Sequence, residues 1–230
     1  SQITFASAAA QIVTLYRKVI DSNTQLCLHS QVRELLGTLL QTGIDPHAVS
    51  LNPALQENGV GDIIQKIAAF QPEDWRRLLL YADQEQISGL LLQAFDALQV
   101  TCPSINIGEI DRFPRKSKYA EGPLVTDALL SKNLLLKNKV KDVFANNGKA
   151  EQQWCLALLN LHYELQRHSM PLSHLTDIYR LARFSNVDED LVRDMIGRLG
   201  IEDFVLRLTA ILYSFLGLPE GFWIFQPKEG

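Results

Sequence analysis

Three of the chain's five histidines, His162, His168 and His174, fall within residues 162–174, "HYELQRHSMPLSH", beside Glu164, Arg167 and Pro171. Clustered imidazoles can ligate a metal or move protons. For a metal the spacing of six is unfavourable, because six residues turn a helix through about 600° and send successive rings to different faces. Two ligands from one helix need a separation of three or four, as in HExxH, and that string is absent. His174 and Asp177 have such a separation, but one pair falls short of a ligand set, so no metal is expected. The plain alternative makes His162 a hydrogen-bonded core residue of a central helix and puts His168 at that helix's negative end.

For proton transfer the pair is Arg167 and His174, spaced as Arg-x6-His. Arginine can hold a phosphate and histidine can shuttle a proton. The spacing resembles the signature of the all-helical HEPN nucleases, which implies cleavage of RNA phosphodiesters by these two residues; Pro171 places a helix break between them. The acids of "VDEDL", Asp188 to Asp190, look like a magnesium-binding Asp-x-Asp, but they sit where a helix starts and capping accounts for them. Arg112, Arg115, Lys116 and Lys118 could touch phosphate. With only Phe113 and Tyr119 interleaved, a solvated loop is the simpler account. No P-loop, GxGxxG or GxSxG is present.

The elements that must position these residues are helical. Phe5, Ile12, Tyr16 and Val19 follow one face of a first helix, and Leu28, Val32, Leu35, Leu36, Leu39 and Leu40 mark a second, ending at Gly43. Asp45 and Pro46 read as the cap and first residue of another helix. After turn-rich "LNPALQENGVGD", the piece "IIQKIAAF" is amphipathic. Pro72, Glu73 and Asp74 start a helix with core face Trp75, Leu78, Leu79 and Ala82. Gly89 divides it from one carrying Leu91, Ala94, Phe95 and Leu98. Residues 102–122 lose the pattern and read as a linker or loop.

Beyond that stretch, residues 123–145 predict one long helix, with Asn146, Asn147 and Gly148 suited to a left-handed cap. "WCLALLNLHYEL" is apolar nearly all round, so it should be central and buried. "PLSHLTDIYRLA" is amphipathic through Leu172, Leu175, Ile178, Tyr179 and Ala182. Asp188 caps the next helix, Val187 and Val192 staple it, and Gly200 closes it. A last helix runs to Gly217. The tail "FWIF" is too apolar to hang in water. Strand alternation never exceeds four residues. The expected fold is therefore all-α, a multi-helix bundle of antiparallel helical hairpins, with an N-terminal helical region (1–101), an irregular linker (102–122) and a C-terminal helical region (123–230).

Composition narrows the function classes. At 230 residues, 47% apolar and 21% charged, the chain can bury a sizeable core. Lys and Arg number 22 against 26 Asp and Glu, for a formal net charge of -4, so nucleic acid is not an expected partner. No secretory leader or membrane span is read from the sequence. Cys27, Cys102 and Cys155 form no CxxC pair and read as reduced thiols of a cytoplasmic protein.

The order of the segments resembles the helical regions of an uncharacterised bacterial nucleotidyltransferase family. "DWRRLLLYADQEQISGLLLQAFDAL" looks like that family's N-terminal helices, with a Trp-led helix, an Ala-x-x-(Gln/His) turn and an "LL-x-A" helix. "SKNLLLKNKVKDVFANNG" is similar to the long helix preceding its catalytic core. "LALLNLHYELQRHSMPLSHLTDIYRLAR" is similar to the region that follows, through His162 and the Leu175-Thr176-Asp177-Ile178 string. The resemblance covers about two thirds of the chain. It implies nucleotide transfer from a nucleoside triphosphate with Mg²⁺, held by an "Asp-Ile-Asp" pair on an α/β core. Here "FANNG" runs directly into "KAEQQW", and no residue matches that pair; "GEID" at Gly108 to Asp111 precedes the long helix and lacks the second Asp. Two accounts follow: a core-less relative acting as a binding module, or a sequence from which the core is missing, with a discontinuity at 148–149 or within 105–123. The catalytic and cofactor-binding residues stay unassigned apart from Arg167 and His174. Any Mg²⁺ or nucleotide would require the missing core. An unrelated helical adaptor is the remaining alternative, and the apolar tail suggests a protein partner or a homo-oligomer.

Overall fold

The computed structural model describes residues 5–22, 28–47, 59–112, 119, 123, 125–126, 130, 132–145, 148–167 and 169–225; the side chains of residues 5–11 and Arg167 lie outside that description. The described residues form ten α-helices and no strand, an all-α fold. The backbone divides into two compact units, Ser1–Lys116 and Ser117–Gly230. The boundary falls inside the irregular stretch, whose first part, through the 3₁₀ turn Ile107–Glu109, belongs to the first unit.

The first unit holds α1 (Phe5–Ser22), α2 (Ser30–Ile44), α3 (Gly59–Ala68), α4 (Pro72–Gln84) and α5 (Ser88–Ala97). The α2 stripe of Val32, Leu35, Leu36, Leu39 and Leu40 is buried, as are Ile63 and Ile67 of α3. Trp75 meets Phe70 and Phe95 edge-on, at centroid separations of 5.4 and 5.3 Å. Burying large apolar groups of this kind contributes about 1.5–3 kcal/mol each.

Gly43 does not stop α2. It lies one residue inside the helix, buried, where a Cβ would collide with the Leu90 carbonyl oxygen of α5. The glycine thus permits a close backbone approach rather than a turn. Asp45 is the C-cap of α2, its N–H bonded to the Gln41 carbonyl, and its Oδ1 accepts from the His47 N–H. Any helix beginning at Pro46 would extend over residues 48–50, outside the description.

The start of α4 follows the sequence: Pro72 opens it and Asp74 Oδ2 accepts from the Gln71 N–H at 2.9 Å. The division from α5 comes earlier than Gly89. Gln86 turns the chain with φ 58°, and the Ile87 N–H closes the helix end on the Ala82 carbonyl at 2.9 Å. Gly89 sits inside α5, where an added Cβ would meet nothing within 4 Å. A second glutamine, Gln99 with φ 55°, ends α5 in the same way, the Val100 N–H reaching the Phe95 carbonyl.

The second unit holds α6 (Leu134–Phe144), α7 (Lys149–Arg167), α8 (Leu172–Phe184), α9 (Glu189–Leu199) and α10 (Glu202–Leu216). The long helix read from residue 123 is interrupted at Asn133: Leu130 and Lys132 are helical before it, and α6 begins at Leu134, capped by Asn133, which accepts from the Leu136 N–H at 3.1 Å. Gly148 starts α7 rather than ending α6: its carbonyl accepts from the Gln152 N–H, so the 148–149 link lies in the first turn. The Gln152 amide also donates to the Phe144 carbonyl at 2.8 Å, tying α7 back to the end of α6. Asn146 and Asn147 lie outside the described residues.

Trp154, Cys155, Leu158, Leu159 and Leu161 bury one side of α7. It packs on α8 and α9, and α9 lies against α6 and α10. The α9 signals hold: Asp188 Oδ1 accepts from the Leu191 N–H, and Gly200 (φ 76°) and Gly217 (φ 64°) close α9 and α10. The "FWIF" tail folds onto its own unit. Ile224 is buried, Trp223 lies 5.0 Å from the Tyr213 ring, and the Trp223 Nε1–H donates to the Leu218 carbonyl. None of the described helices is long and apolar enough to cross a membrane.

Candidate functional site

The histidine stretch spans the end of α7 and the start of α8, with Pro171 as the N-cap between them. The histidines do different jobs. His162 is half-buried against the Phe204 ring, 4.8 Å between centroids, and its Nε2 accepts from the Gln166 amide at 2.9 Å. Burial lowers its pKa below the ordinary histidine value. His174 turns its Nδ1 to Glu164 Oε2, 2.8 Å away. His168 lies outside the described residues. Among those described, no three His, Cys, Asp or Glu side chains form a group that could hold a metal ion.

Among the described residues of the second unit, the Glu164–His174 pair comes closest to acid–base geometry. Glu164 is buried, whereas the His174 side chain keeps 40% of its exposure. A carboxylate on Nδ1 fixes the ring's orientation and leaves Nε2 as the outer nitrogen. No described residue bonds that Nε2. Glu164 Oε1 is buried and has no described hydrogen-bond partner. The Arg167 side chain lies outside the description. Asp177 does not join His174; with Arg180, Leu181, Phe184 and Ser185 it lines a shallow groove of about 540 Å³ on α8.

The other sequence candidates resolve into local structure. Asp188 is a helix cap, and Asp190 pairs with Arg193 at 2.6 Å one turn away. Arg112 bonds Asp83 Oδ2 at 3.2 Å. Arg115, Lys116 and Lys118 fall outside the described residues. Cys155 is buried in α7, its thiol pKa pushed up to about 12 mainly by burial.

The feature that periodicity does not reveal lies in the first unit. Arg76 of α4 grips Asp21 of α1 by two parallel bonds, 3.2 and 2.7 Å long. Arg17 reaches Glu73 at 2.6 Å, and Lys18 reaches Asp111 at 2.9 Å. The network continues from Glu73 to Arg77 (3.0 Å) and from Arg77 Nη1 to His29 Nε2 (3.0 Å). His29 Nδ1 closes it on Asp74. A guanidinium can only donate, so Nε2 accepts and the ring proton lies on Nδ1, facing the carboxylate.

The consequence is an inverted helix. At 100° per residue, Arg17, Lys18 and Asp21 occupy one arc of α1, and Ile12, Leu15, Tyr16 and Val19 occupy the opposite one. The polar arc carries the ion pairs that hold α1 to its unit. The apolar arc, with Val13 at its edge, stands in water: exposure runs from 47% at Val19 to 68% at Val13 and Tyr16. The sequence marks Ile12, Tyr16 and Val19 as a face, but a stripe alone does not tell which way it looks. No protein family, curated protein or solved structure matches the chain.

Proposed function

We propose that the chain is a cytoplasmic helical binding module whose docking surface is the outer face of α1. What carries the reading is the orientation of that helix, held by Arg17, Lys18 and Asp21 with Ile12, Leu15, Tyr16 and Val19 turned to solvent. A helix in a monomer gains most by burying its apolar arc. One that spends its ion pairs inward and leaves the arc outside is built for a partner. The free thiols of Cys102 and Cys155 accord with a reducing compartment. The resemblance to nucleotidyltransferase helices fits the same role, since helices flanking a core bind and position. Transfer itself would need Mg²⁺ on a carboxylate pair contributed from outside these residues.

A fluorescent apolar probe tests the surface. Its emission should rise with the chain and fall toward background in Tyr16→Ser. Titration with Mg²⁺ and a nucleoside triphosphate should be flat, and a saturable response would return the assignment to nucleotide chemistry.

One observation favours a second reading, an HEPN-like ribonuclease using Arg167 and His174. Glu164 orients His174 as a catalytic imidazole needs to be oriented. RNA cleavage abolished by both Arg167→Ala and His174→Ala would select it.

A further inference from the structure

We propose that the partner covering the outer face of α1 is a second copy of the same chain, packed antiparallel across a two-fold axis between Leu15 and Tyr16. The inference rests on α1 being a binding surface and goes on to name its occupant. The exposed residues are self-complementary. Running a second α1 in the opposite direction about that axis sets Ile12 opposite Val19 and Leu15 opposite Tyr16, so the four central members of the arc meet one another, while Val13 at its edge falls beside Lys18 of the other copy. This is the isologous geometry that two-fold dimers require.

Charge points the same way. The arc carries none, so no like charges meet across the axis, and it offers nothing to select a basic or acidic partner. A membrane surface fits less well: interfacial helices use free Lys and Arg beside their apolar face. Here Arg17 and Lys18 are engaged with Glu73 and Asp111, and the chain's net charge of -4 disfavours anionic lipid. The size is that of a weak, transient contact. Complete burial of the four facing side chains would remove at most about 400 Å² per copy, about 800 Å² in all, below the range of stable interfaces. A weak, reversible dimer is the expected result.

Sedimentation equilibrium of the full chain, from about 1 to about 300 µM, tests this. The wild type should fit a monomer–dimer equilibrium. Tyr16→Asp should weaken it at least about tenfold with an unchanged far-UV spectrum, because the position is exposed. The register predicts a rescue: Leu15→Lys combined with Tyr16→Asp sets the new cation opposite the new carboxylate of the other copy and should restore part of the affinity. Val60→Asp, at an exposed site on α3, should change nothing. A monomer at every concentration overturns the proposal, as does a dimer indifferent to Tyr16→Asp. Flotation with phosphatidylserine vesicles that depends on Tyr16 would also overturn it, in favour of lipid. The apolar probe separates the two levels. A monomer that still binds the probe through Tyr16 loses only the second copy, whereas one that does not loses the docking surface as well.

Discussion

Arg76 holds Asp21 with both arms of its carboxylate engaged, Nε to Oδ1 and Nη2 to Oδ2, and Asp21 is 2% exposed. The fork raises the Arg76 pKa, chiefly through the hydrogen bond to Asp21. Among the described ion pairs that α1 makes with the rest of its unit this one is the most shielded, since Arg17 keeps 43% and Asp111 72% side-chain exposure and their pairs are open to screening by salt.

Asp21→Asn should therefore release α1 more than any change at Arg17 or Lys18. The amide cannot accept both arms, and Arg76 is left with an unpaired arm. The expected cost is about 1–3 kcal/mol in the first unit. Backbone hydrogen exchange of α1 should accelerate with it, while α7 amides stay unchanged. An α1 as protected as in the wild type would mean that something other than the fork holds the helix.

Gln86 and Gln99 are the two non-glycine residues with positive φ among those described, at 58° and 55°. A side chain in that region is strained, and glycine is not. Gln86→Gly and Gln99→Gly should each add about 0.5–1 kcal/mol of stability and raise the melting temperature, the relief of strain outweighing the greater conformational entropy that glycine gives the unfolded chain. Gly89→Ala should also stabilise, because Gly89 is helical and its added methyl meets nothing.

These positions mark how far the sequence can be read. Stripes that face a core, such as Val32 to Leu40, are legible because burial imposes their period. Caps such as Asp188 and Gly200 are legible because their chemistry is local. The break at Gln86 is hidden: the Ile87–Ala82 bond that closes the helix rewards the left-handed turn whatever residue makes it, and nearby Gly89 draws attention away. The charged network is hidden for another reason. Asp21 and Arg76 are 55 residues apart, and His29 and Asp74 are 45 apart. Amphipathicity gives a helix two faces without saying which turns inward, so the direction of α1 depends on partners that no window along the chain contains.

His162 predicts a pH dependence with a definite sign. Its folded pKa lies below the unfolded value, with burial as the cause. Above pH 6.5 the ring is neutral in both states and its contribution is whole. As pH falls below the unfolded value, the unfolded chain takes up the proton first and stability drops until the folded pKa is passed. His162→Gln should flatten the wild-type decline below about pH 6.5. Identical slopes in the two proteins would remove His162 as its source.

The thiols should react in order of access. Cys155 is fully buried with a pKa near 12, whereas Cys102 is partly exposed and its pKa is raised by burial alone. Alkylation at pH 8 followed by peptide mass spectrometry should find Cys102 modified in the native protein and Cys155 modified only after unfolding. Early labelling of Cys155 would mean that α7 opens locally.

The Glu164–His174 pair can be tested for structure and for chemistry with the same variants. Glu164 places a carboxylate in the interior with one oxygen on His174 and the other without a described partner. Removing the imidazole strands both oxygens, so His174→Ala should cost about 1–3 kcal/mol. Removing both polar groups takes away the desolvation penalty along with the bond. Glu164→Leu combined with His174→Leu should then recover most of that loss. Recovery of stability with no enzymatic activity to lose would identify the pair as a polar clasp joining the end of α7 to the start of α8. If the double variant folds like the wild type but has lost an RNA-cleaving activity that the wild type possesses, the clasp is instead a catalytic imidazole with its orienting carboxylate. The binding-module assignment would then give way to the nuclease.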